Sequence, residues 1–253
     1  MSRAPVVGLT ADTDSVVAQK GYTQERFLLK RAYFDAVIAS GGVPLLIPAY
    51  EKPRHTDIYL SMIDGLIITG GYFDIDPNFY GEKKRFRIDK VKPERTLTEI
   101  RLIRKAVRLS MPTMGVCGGM QAINVAYGGG LYQDIFSQVS GALRHEQKPM
   151  PANKPSHAVQ LAPASRLARI MKAETIMVNS THHQAIWKVG RNLTACAFSS
   201  DGVAEAIEGK GPGFLLGVQW HPEQLLGKTP ESAKLFKAFV AQCRNFKKSR
   251  VGR

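Results

Sequence analysis

The sequence has few cysteines, no long apolar run and fewer acidic than basic side chains. Three cysteines in 253 residues are too few for a disulfide framework. No run approaches the ~18–20 apolar residues of a membrane span. The N-terminal segment also lacks the apolar core of a signal peptide. We therefore expect a cytoplasmic protein with no membrane partner.

The charge is unevenly distributed. The 35 basic and 21 acidic side chains give a net charge of +14, and residues 83–95 and 244–253 carry +5 each. Few aromatic residues are interleaved with these charges, so the pattern argues against a nucleic-acid partner. It indicates either a solvated loop and tail or a lid that attracts an acidic substrate.

Alternating strand and helix patterns predict parallel βαβ units and a single α/β domain over residues 1–253. Short apolar runs predict buried strands over 5–10, 43–47, 65–69, 113–116, 159–161, 175–178, 193–197, 203–207 and 214–218. Amphipathic patterns predict helices over 24–40, 54–62, 97–109, 118–127 and 231–246. We expect a mainly parallel central sheet flanked by helices.

Residues 70–95 have neither helical nor strand periodicity. Loops of this length are uncommon unless they are functional or disordered. The segment begins with Gly70-Gly71 directly after a predicted strand, at the sheet edge where open α/β sheets place ligand sites. We therefore predict a basic, lid-like insertion at about 72–95, in addition to a basic C-terminal tail at 244–253.

The most specific local signal is Met114-Gly-Val-Cys-Gly-Gly-Met-Gln121. A cysteine with small neighbours between a strand and a helix is typical of a nucleophile elbow. The N-terminus of the following helix offers free backbone N–H groups and a positive dipole end that stabilises a thiolate. The spacing by itself also fits a structural cysteine at a strand end. Cys196 and Cys243 have no such surroundings and are interpreted as structural.

A cysteine nucleophile needs a base, and His221 is the best placed of six histidines. It directly follows an apolar strand, and Glu223 lies two residues later, after a proline. A carboxylate at that spacing can orient an imidazole and stabilise its cation. The alternative is a histidine at a strand end beside an unrelated surface glutamate.

The elbow and the segment Gln219-Trp-His-Pro-Glu223 together resemble the class I glutamine amidotransferase superfamily, with its Cys–His–Glu triad. Other motifs narrow the resemblance to the peptidase C26 branch, the γ-glutamyl-γ-aminobutyrate hydrolases of putrescine breakdown and their relatives. These motifs are Gly65-Leu-Ile-Ile-Thr-Gly-Gly71, Asp74-Ile-Asp-Pro77, Tyr80-Gly-Glu82, Pro93-Glu-Arg95 with Glu99, Gln121-Ala-Ile-Asn-Val125, Gly128-Gly-Gly-Leu131, Gln133-Asp-Ile135 and Val178-Asn-Ser-Thr-His-His-Gln-Ala185. The resemblance spans nearly the whole chain and implies a flavodoxin-like three-layer sandwich.

The resemblance also implies roles for individual residues. Cys117 would attack a γ-glutamyl amide, His221 would transfer protons and Glu223 would orient His221. The backbone N–H groups of Gly71 and Gly118 would bind the oxyanion. The residues that the resemblance places around the glutamyl group are Gln121, His182, His183 and Gln184. For the paired histidines, a solvent-exposed turn is the alternative.

Two positions depart from the common pattern of this branch. Many members have arginine after the nucleophile, where this chain has Gly118, and many have aspartate after Pro-Glu-Arg, where it has Thr96. Neither change touches the triad, but both positions can affect the substrate pocket. The leaving amine is therefore left open.

We expect a hydrolase that cleaves the γ-glutamyl amide of a small molecule through a thioester, without a metal or another cofactor. One alternative is a glutaminase subunit that supplies ammonia to a separate synthetase. Another is an inactive amidotransferase-like binding module. The expected partner is a small-molecule γ-glutamyl substrate, and a homodimer is left open.

Overall fold

The computed structural model describes residues 4–17, 21–49 and 53–251. In chain order, its strands are β1 (Val6–Thr10), β2 (Asp12–Val17), β3 (Thr23–Leu28), β4 (Val43–Ile47), β5 (Gly65–Ile68), β6 (Thr113–Val116), β7 (Gly130–Tyr132), β8 (His157–Leu161), β9 (Thr175–Val178), β10 (Ala185–Lys188), β11 (Leu193–Ser199), β12 (Ala204–Gly209) and β13 (Leu215–Val218). Its α-helices are α1 (Arg31–Ala39), α2 (Pro53–Met62), α3 (Pro93–Arg108), α4 (Gly118–Ala126), α5 (Ile135–Gln138), α6 (Arg166–Met171) and α7 (Pro230–Val251). Two 3₁₀ turns cover Pro77–Tyr80 and Pro222–Leu225.

The central sheet has a parallel half and an antiparallel half. Strands β4, β1, β5, β6 and β13 lie side by side in parallel. From β13 the sheet continues through β12, β11, β8 and β9 with antiparallel pairing, and β10 joins β12 to β7. The parallel strands end at one edge, which is where open α/β sheets bind ligands.

Helices cover both faces of the parallel half. On one face, α1 and α7 pack with Val7 and Leu9 of β1 and with Ile67 of β5 in one apolar core. On the other face, α2, α3 and α4 pack with Leu66 and Ile68 of β5 in a second core. Strands covered on both faces read as continuous apolar runs rather than alternating ones. The predicted α/β fold, with a mainly parallel central sheet flanked by helices, is confirmed.

The predicted helix over 24–40 is wrong in its first part. Residues 23–28 form β3, which pairs antiparallel with β2, and α1 begins only at Arg31. Phe27 and Leu28 belong to the apolar stripe that suggested a helix, but both are exposed on the hairpin. Cross-strand pairing with residues 12–17 decides the conformation here, and a periodicity read along one segment does not detect such pairing.

The two basic segments are more ordered than a loop and a tail. Residues 93–95 already belong to α3, and an isolated bridge joins Asp74 to Val91 at the base of the insertion. Residues 244–251 are the last turns of α7, where Lys247 donates to Asp64 and Arg250 to the carbonyl of Ile63. Residues 252–253 lie outside the described part. Much of the excess charge near the C-terminus therefore holds α7 against the sheet.

Among the residues that the structure describes, no helix is long and apolar enough to cross a membrane.

Candidate active site

Cys117 lies in a sharp turn between β6 and α4. Its backbone has φ 52° and ψ −111°. Residues other than glycine rarely adopt this backbone conformation, and holding one there costs about 1–3 kcal/mol. A Cβ at Gly119 would lie 2.0 Å from the carbonyl oxygen of Ile68, and one at Gly115 would lie 2.6 Å from the backbone of Gly119. Glycine is therefore required at both positions for α4 to pack this closely behind the cysteine.

His221 follows β13, the strand beside β6, so it reaches the same edge of the sheet as Cys117. Its Nδ1 lies 2.8 Å from Oε1 of Glu223, and its ring and the side chain of Cys117 both lie against Gly70. Asn179 fixes the backbone of His221 in two places, because its Oδ1 accepts from the His221 N–H at 2.8 Å and its Nδ2 donates to the His221 carbonyl at 3.1 Å. The structure thus brings the three predicted triad residues together.

Electrostatics favour a protonated His221. Burial lowers the pKa of this imidazole, but the negative charges of Glu223 and of a Cys117 thiolate outweigh burial and raise the pKa to about 10. Because Nδ1 is engaged by Glu223, Nε2 is the nitrogen left for the sulfur. The arrangement fits a protonated His221 at neutral pH.

The loop after β5 passes directly over Cys117 and His221. A Cβ at Gly70 would lie 2.9 Å from Cε1 of His221 and 3.2 Å from Cβ of Cys117. The Gly70 N–H donates to the Tyr33 hydroxyl at 3.0 Å. Within the described residues, the N–H groups of Gly71 and Gly118 donate to no backbone or side-chain acceptor. The oxyanion role of these two donors stays a prediction.

A buried arginine supports this loop from below. Arg95 donates to the Thr69 carbonyl at 2.7 Å and forms ion pairs at 2.9 Å with Asp12 and with Glu99. It is 1% exposed, so both carboxylates are needed to offset the cost of burying the guanidinium. Arg95 and Glu99 belong to a recognised motif, whereas nothing in the sequence pattern pointed to Asp12 or Tyr33.

A small cavity beside His221 marks the entrance to the site. Its wall is formed by Asp12, Leu28, Leu29, Lys30, Tyr33, Gly70, Gly71, Tyr72, Thr181 and His221. The volume is about 50 Å³, well below the ~300 Å³ of typical small-molecule sites. The Lys30 ammonium lies 4.7 Å from the centre of the Tyr72 ring, so these two side chains narrow the entrance together. A substrate would require them to separate.

The four residues predicted to contact the glutamyl group differ in their placement. Gln121 donates to the Gln184 carbonyl at 2.9 Å, and Gln184 Oε1 accepts from the backbone of Ile75. The Gln184 Nε2 group is buried without a hydrogen-bond partner in the described structure. His183 lies 2.9 Å from Asp74, and His182 faces a different carboxylate, that of Glu205. None of the four lies in the cavity wall.

The most basic part of the insertion packs away from the cavity. Arg87 forms ion pairs with Asp89 and Glu146, and the backbone N–H groups of Arg85 and Phe86 donate to Gln133. Of the insertion at 72–95, only Tyr72 is among the described residues that line the cavity. A lid role for the lysines and arginines of 83–87 stays a prediction, and Lys30 supplies a cation at the wall itself.

Removing the Tyr33 hydroxyl should weaken turnover more than binding. In Tyr33→Phe the Gly70 N–H loses its acceptor, and the loop carrying the Gly71 N–H loses an anchor. A cost of about 1 kcal/mol for a lost hydrogen bond predicts a loss in kcat of somewhat under tenfold, with KM less changed. Tyr80→Phe is the matched control, because the buried Tyr80 hydroxyl has no hydrogen-bond partner in the described structure. Equal kcat losses in both variants would contradict the anchoring role.

Comparison with known proteins agrees with this architecture. The family model described as Peptidase C26 matches residues 5–223. A glutamine amidotransferase-like protein of Lactococcus lactis, YvdE, is 35% identical over 93% of this chain and 98% of its own length. The Escherichia coli γ-glutamyl-γ-aminobutyrate hydrolase PuuD is 30% identical over 95% of this chain and 94% of its own. The crystal structure of a protein from Thermoplasma acidophilum, described as part of a GMP synthase, aligns over 99% of both chains with a TM-score of 0.64 and 15% identity, which shows the shared fold.

Proposed function

This chain belongs to the peptidase C26 family, and from that premise we propose that it hydrolyses the γ-glutamyl amide bond of a small molecule through a cysteine thioester. The hydrolases among its relatives support hydrolase activity in general. The observation that carries the finer proposal is that Cys117 and His221 lie side by side beneath the loop after β5, with Glu223 Oε1 2.8 Å from His221 Nδ1.

In the first half of the reaction, the Cys117 thiolate attacks the δ-carbonyl carbon of the glutamyl group. The carbonyl oxygen becomes an oxyanion, which the N–H groups of Gly71 and Gly118 stabilise. One such donor is typically worth ~3–4 kcal/mol in the transition state. The imidazolium of His221 then donates its proton to the leaving nitrogen, the C–N bond breaks, and the amine leaves a thioester behind.

In the second half, water replaces the amine. The neutral His221 accepts a proton from water, the resulting hydroxide attacks the thioester carbon, and the C–S bond breaks to release glutamate. Glu223 stabilises the imidazolium that forms in this step. The enzyme returns to its imidazolium–thiolate state, and protons are balanced over the cycle.

Recognition of the glutamyl head requires partners for an α-carboxylate and an α-ammonium group. Lys30 offers a cation at the cavity wall, and the unpaired Gln184 Nε2 offers a buried donor. We assign the carboxylate to Lys30, whereas Gln184, whose backbone Gln121 holds in place, lies outside the cavity wall. A Cβ at Gly118 would meet no atom within 4 Å, so there is open space beside this position.

A substrate panel tests the proposal. Glutamate release should be measured from γ-glutamyl-GABA, γ-glutamyl-anilide and glutamine, with Cys117→Ser as the inactive control. We expect release from at least one γ-glutamyl amide at a kcat/KM well above that for glutamine. Release from none of the three would contradict the proposal, and hydrolysis of glutamine alone would favour the glutaminase alternative.

A further inference from the structure

A second cluster of titratable side chains lies outside the Cys117–His221–Glu223 site. Glu205 of β12 is fully buried, and three histidines surround its Oε1 atom. The distances to Oε1 are 3.4 Å from His145 Nδ1, 3.3 Å from His157 Nε2 and 3.7 Å from His182 Nε2. No step of the proposed hydrolysis uses these groups.

Hydrogen bonds on the far side of two rings leave one nitrogen of each ring facing Glu205. His145 Nε2 lies 2.9 Å from Oδ2 of Asp201, and His182 Nδ1 lies 3.0 Å from the carbonyl oxygen of Gln184. Both partners are acceptors, so each ring keeps a proton on its outer nitrogen. The inner nitrogens, His145 Nδ1 and His182 Nε2, face the carboxylate of Glu205, and His145 Nδ1 also lies 3.4 Å from the Ser180 hydroxyl.

This convergence places a buried carboxylate opposite the ring nitrogens of three histidines. Neither oxygen of Glu205 has a hydrogen-bond partner among the described residues, and neither do His157 Nε2 and His182 Nε2. A carboxylate in the protein interior needs a positive charge close to it. Protons on the inner nitrogens or a bound cation can supply that charge.

We propose that His145 Nδ1, His182 Nε2 and Glu205 bind a divalent transition-metal ion, with zinc as the best fit. The three ligand atoms lie within 4.8 Å of one another. A tetrahedral ion with bonds of about 2.0–2.2 Å separates its ligand atoms by about 3.3–3.6 Å, close to the 3.4 and 3.7 Å found here. Asp201 and the Gln184 carbonyl supply the outer hydrogen bonds that orient metal-binding histidines.

The proposed ion has a structural role beside the active site. His182 directly follows Thr181, which lines the cavity. The Glu205 carbonyl accepts from the N–H of Gln219, two residues before His221. An ion held here would join His182, which follows the cavity residue Thr181, to Glu205 of β12. Strand β12 in turn pairs with the segment that carries His221. It takes no part in bond cleavage.

This proposal departs from the expectation of no metal. The sequence shows no metal-binding spacing, because the ligands lie 37 and 23 positions apart along the chain. Only the order of the strands brings them together.

The test is metal binding by the full chain, with any histidine tag removed. Protein stripped with a chelator is titrated with Zn²⁺ by calorimetry and with Co²⁺ by visible absorption. We expect one ion per chain, and for Co²⁺ the d–d bands of a four-coordinate N/O site. Glu205→Gln and His182→Gln should each weaken binding by more than ~100-fold, and Asp201→Asn, which alters an outer hydrogen bond, by ~10–100-fold.

His183→Gln tells the two groups apart, since it changes the neighbouring histidine, which lies with Asp74 and Asp89 in a separate cluster that could itself hold an ion. It should bind Zn²⁺ as the wild type does. Wild-type protein with no saturable binding of either metal would overturn the proposal. So would Zn²⁺ binding that His183→Gln abolishes and Glu205→Gln preserves. If variants unfold, the wild-type Co²⁺ spectrum and the rise in Tm with added Zn²⁺ still decide the question. These measurements do not depend on hydrolysis, so they stand or fall apart from the proposed activity.

Discussion

Cys117→Ser should lower kcat by at least ~10⁴-fold while the protein keeps its fold. The oxygen of serine is a far weaker nucleophile beside an imidazolium, and the loss of one member of a catalytic unit removes most of its effect. Stability should change little, because the side chain is of similar size. Turnover is measured with the best substrate of the panel, and folding is checked by thermal denaturation.

Cys196→Ser is the control for this substitution. Burial raises the pKa of the Cys196 thiol, which lies in β11 and takes no part in the proposed reaction. The variant should keep wild-type kcat, even if its stability falls. A thiol alkylator should label Cys117 ahead of Cys196 and Cys243, which are 1% and 0% exposed against 6% for Cys117. Wild-type turnover in Cys117→Ser, or faster labelling of another cysteine, would contradict the assignment.

His221→Ala should also reduce kcat by ~10⁴-fold or more, because both proton transfers then lose their carrier. Glu223→Gln should be milder by about one to two orders of magnitude, since the amide still orients the ring but no longer stabilises its cation. In both variants KM should change less than kcat. Full activity in His221→Ala would show that another histidine acts as the general base.

The raised pKa of His221 predicts a distinctive pH profile. With a pKa of about 10, the imidazolium that protonates the leaving amine persists through neutral pH. The rate of thioester formation should therefore hold between pH 7 and 9 and fall as pH rises through about 10. Glu223→Gln removes the negative charge that raises the pKa of His221, so the rate should begin to fall at a lower pH. An unchanged profile in that variant would exclude Glu223 as the cause.

The same group links stability to pH. The folded pKa of His221 lies above the ordinary value of 6.5, so its protonation favours the folded state. This contribution is fully present below pH 6.5 and is lost as pH rises towards about 10. It should be smaller in Glu223→Gln at neutral pH, where chemical denaturation can measure the difference.

Local patterns in the sequence determined the parallel half of the fold and the core of the candidate site. Apolar runs identified β1, β4, β5, β6 and β13 because strands buried on both faces must be apolar throughout. The sharp turn at Cys117 could be predicted because close packing of the following helix requires glycine at fixed neighbouring positions. His221 and Glu223 were readable as a pair because only two positions separate them along the chain.

Other features depended on contacts between distant segments. The β2–β3 hairpin is held by cross-strand pairs that outweigh the helical periodicity of residues 24–30. Tyr33 and Lys30 reach the cavity only because the start of α1 lies beside the loop after β5.

The cluster around Glu205 is the clearest case of a feature that only the tertiary structure decided. His145, His182 and Glu205 come from two loops and a strand, and none has a neighbour in sequence that signals a shared site. Periodicity and motif spacing describe residues within about ten positions of one another. The order of strands in the sheet places side chains tens of positions apart within 4 Å, and that order is a property of how the whole chain buries its apolar surface.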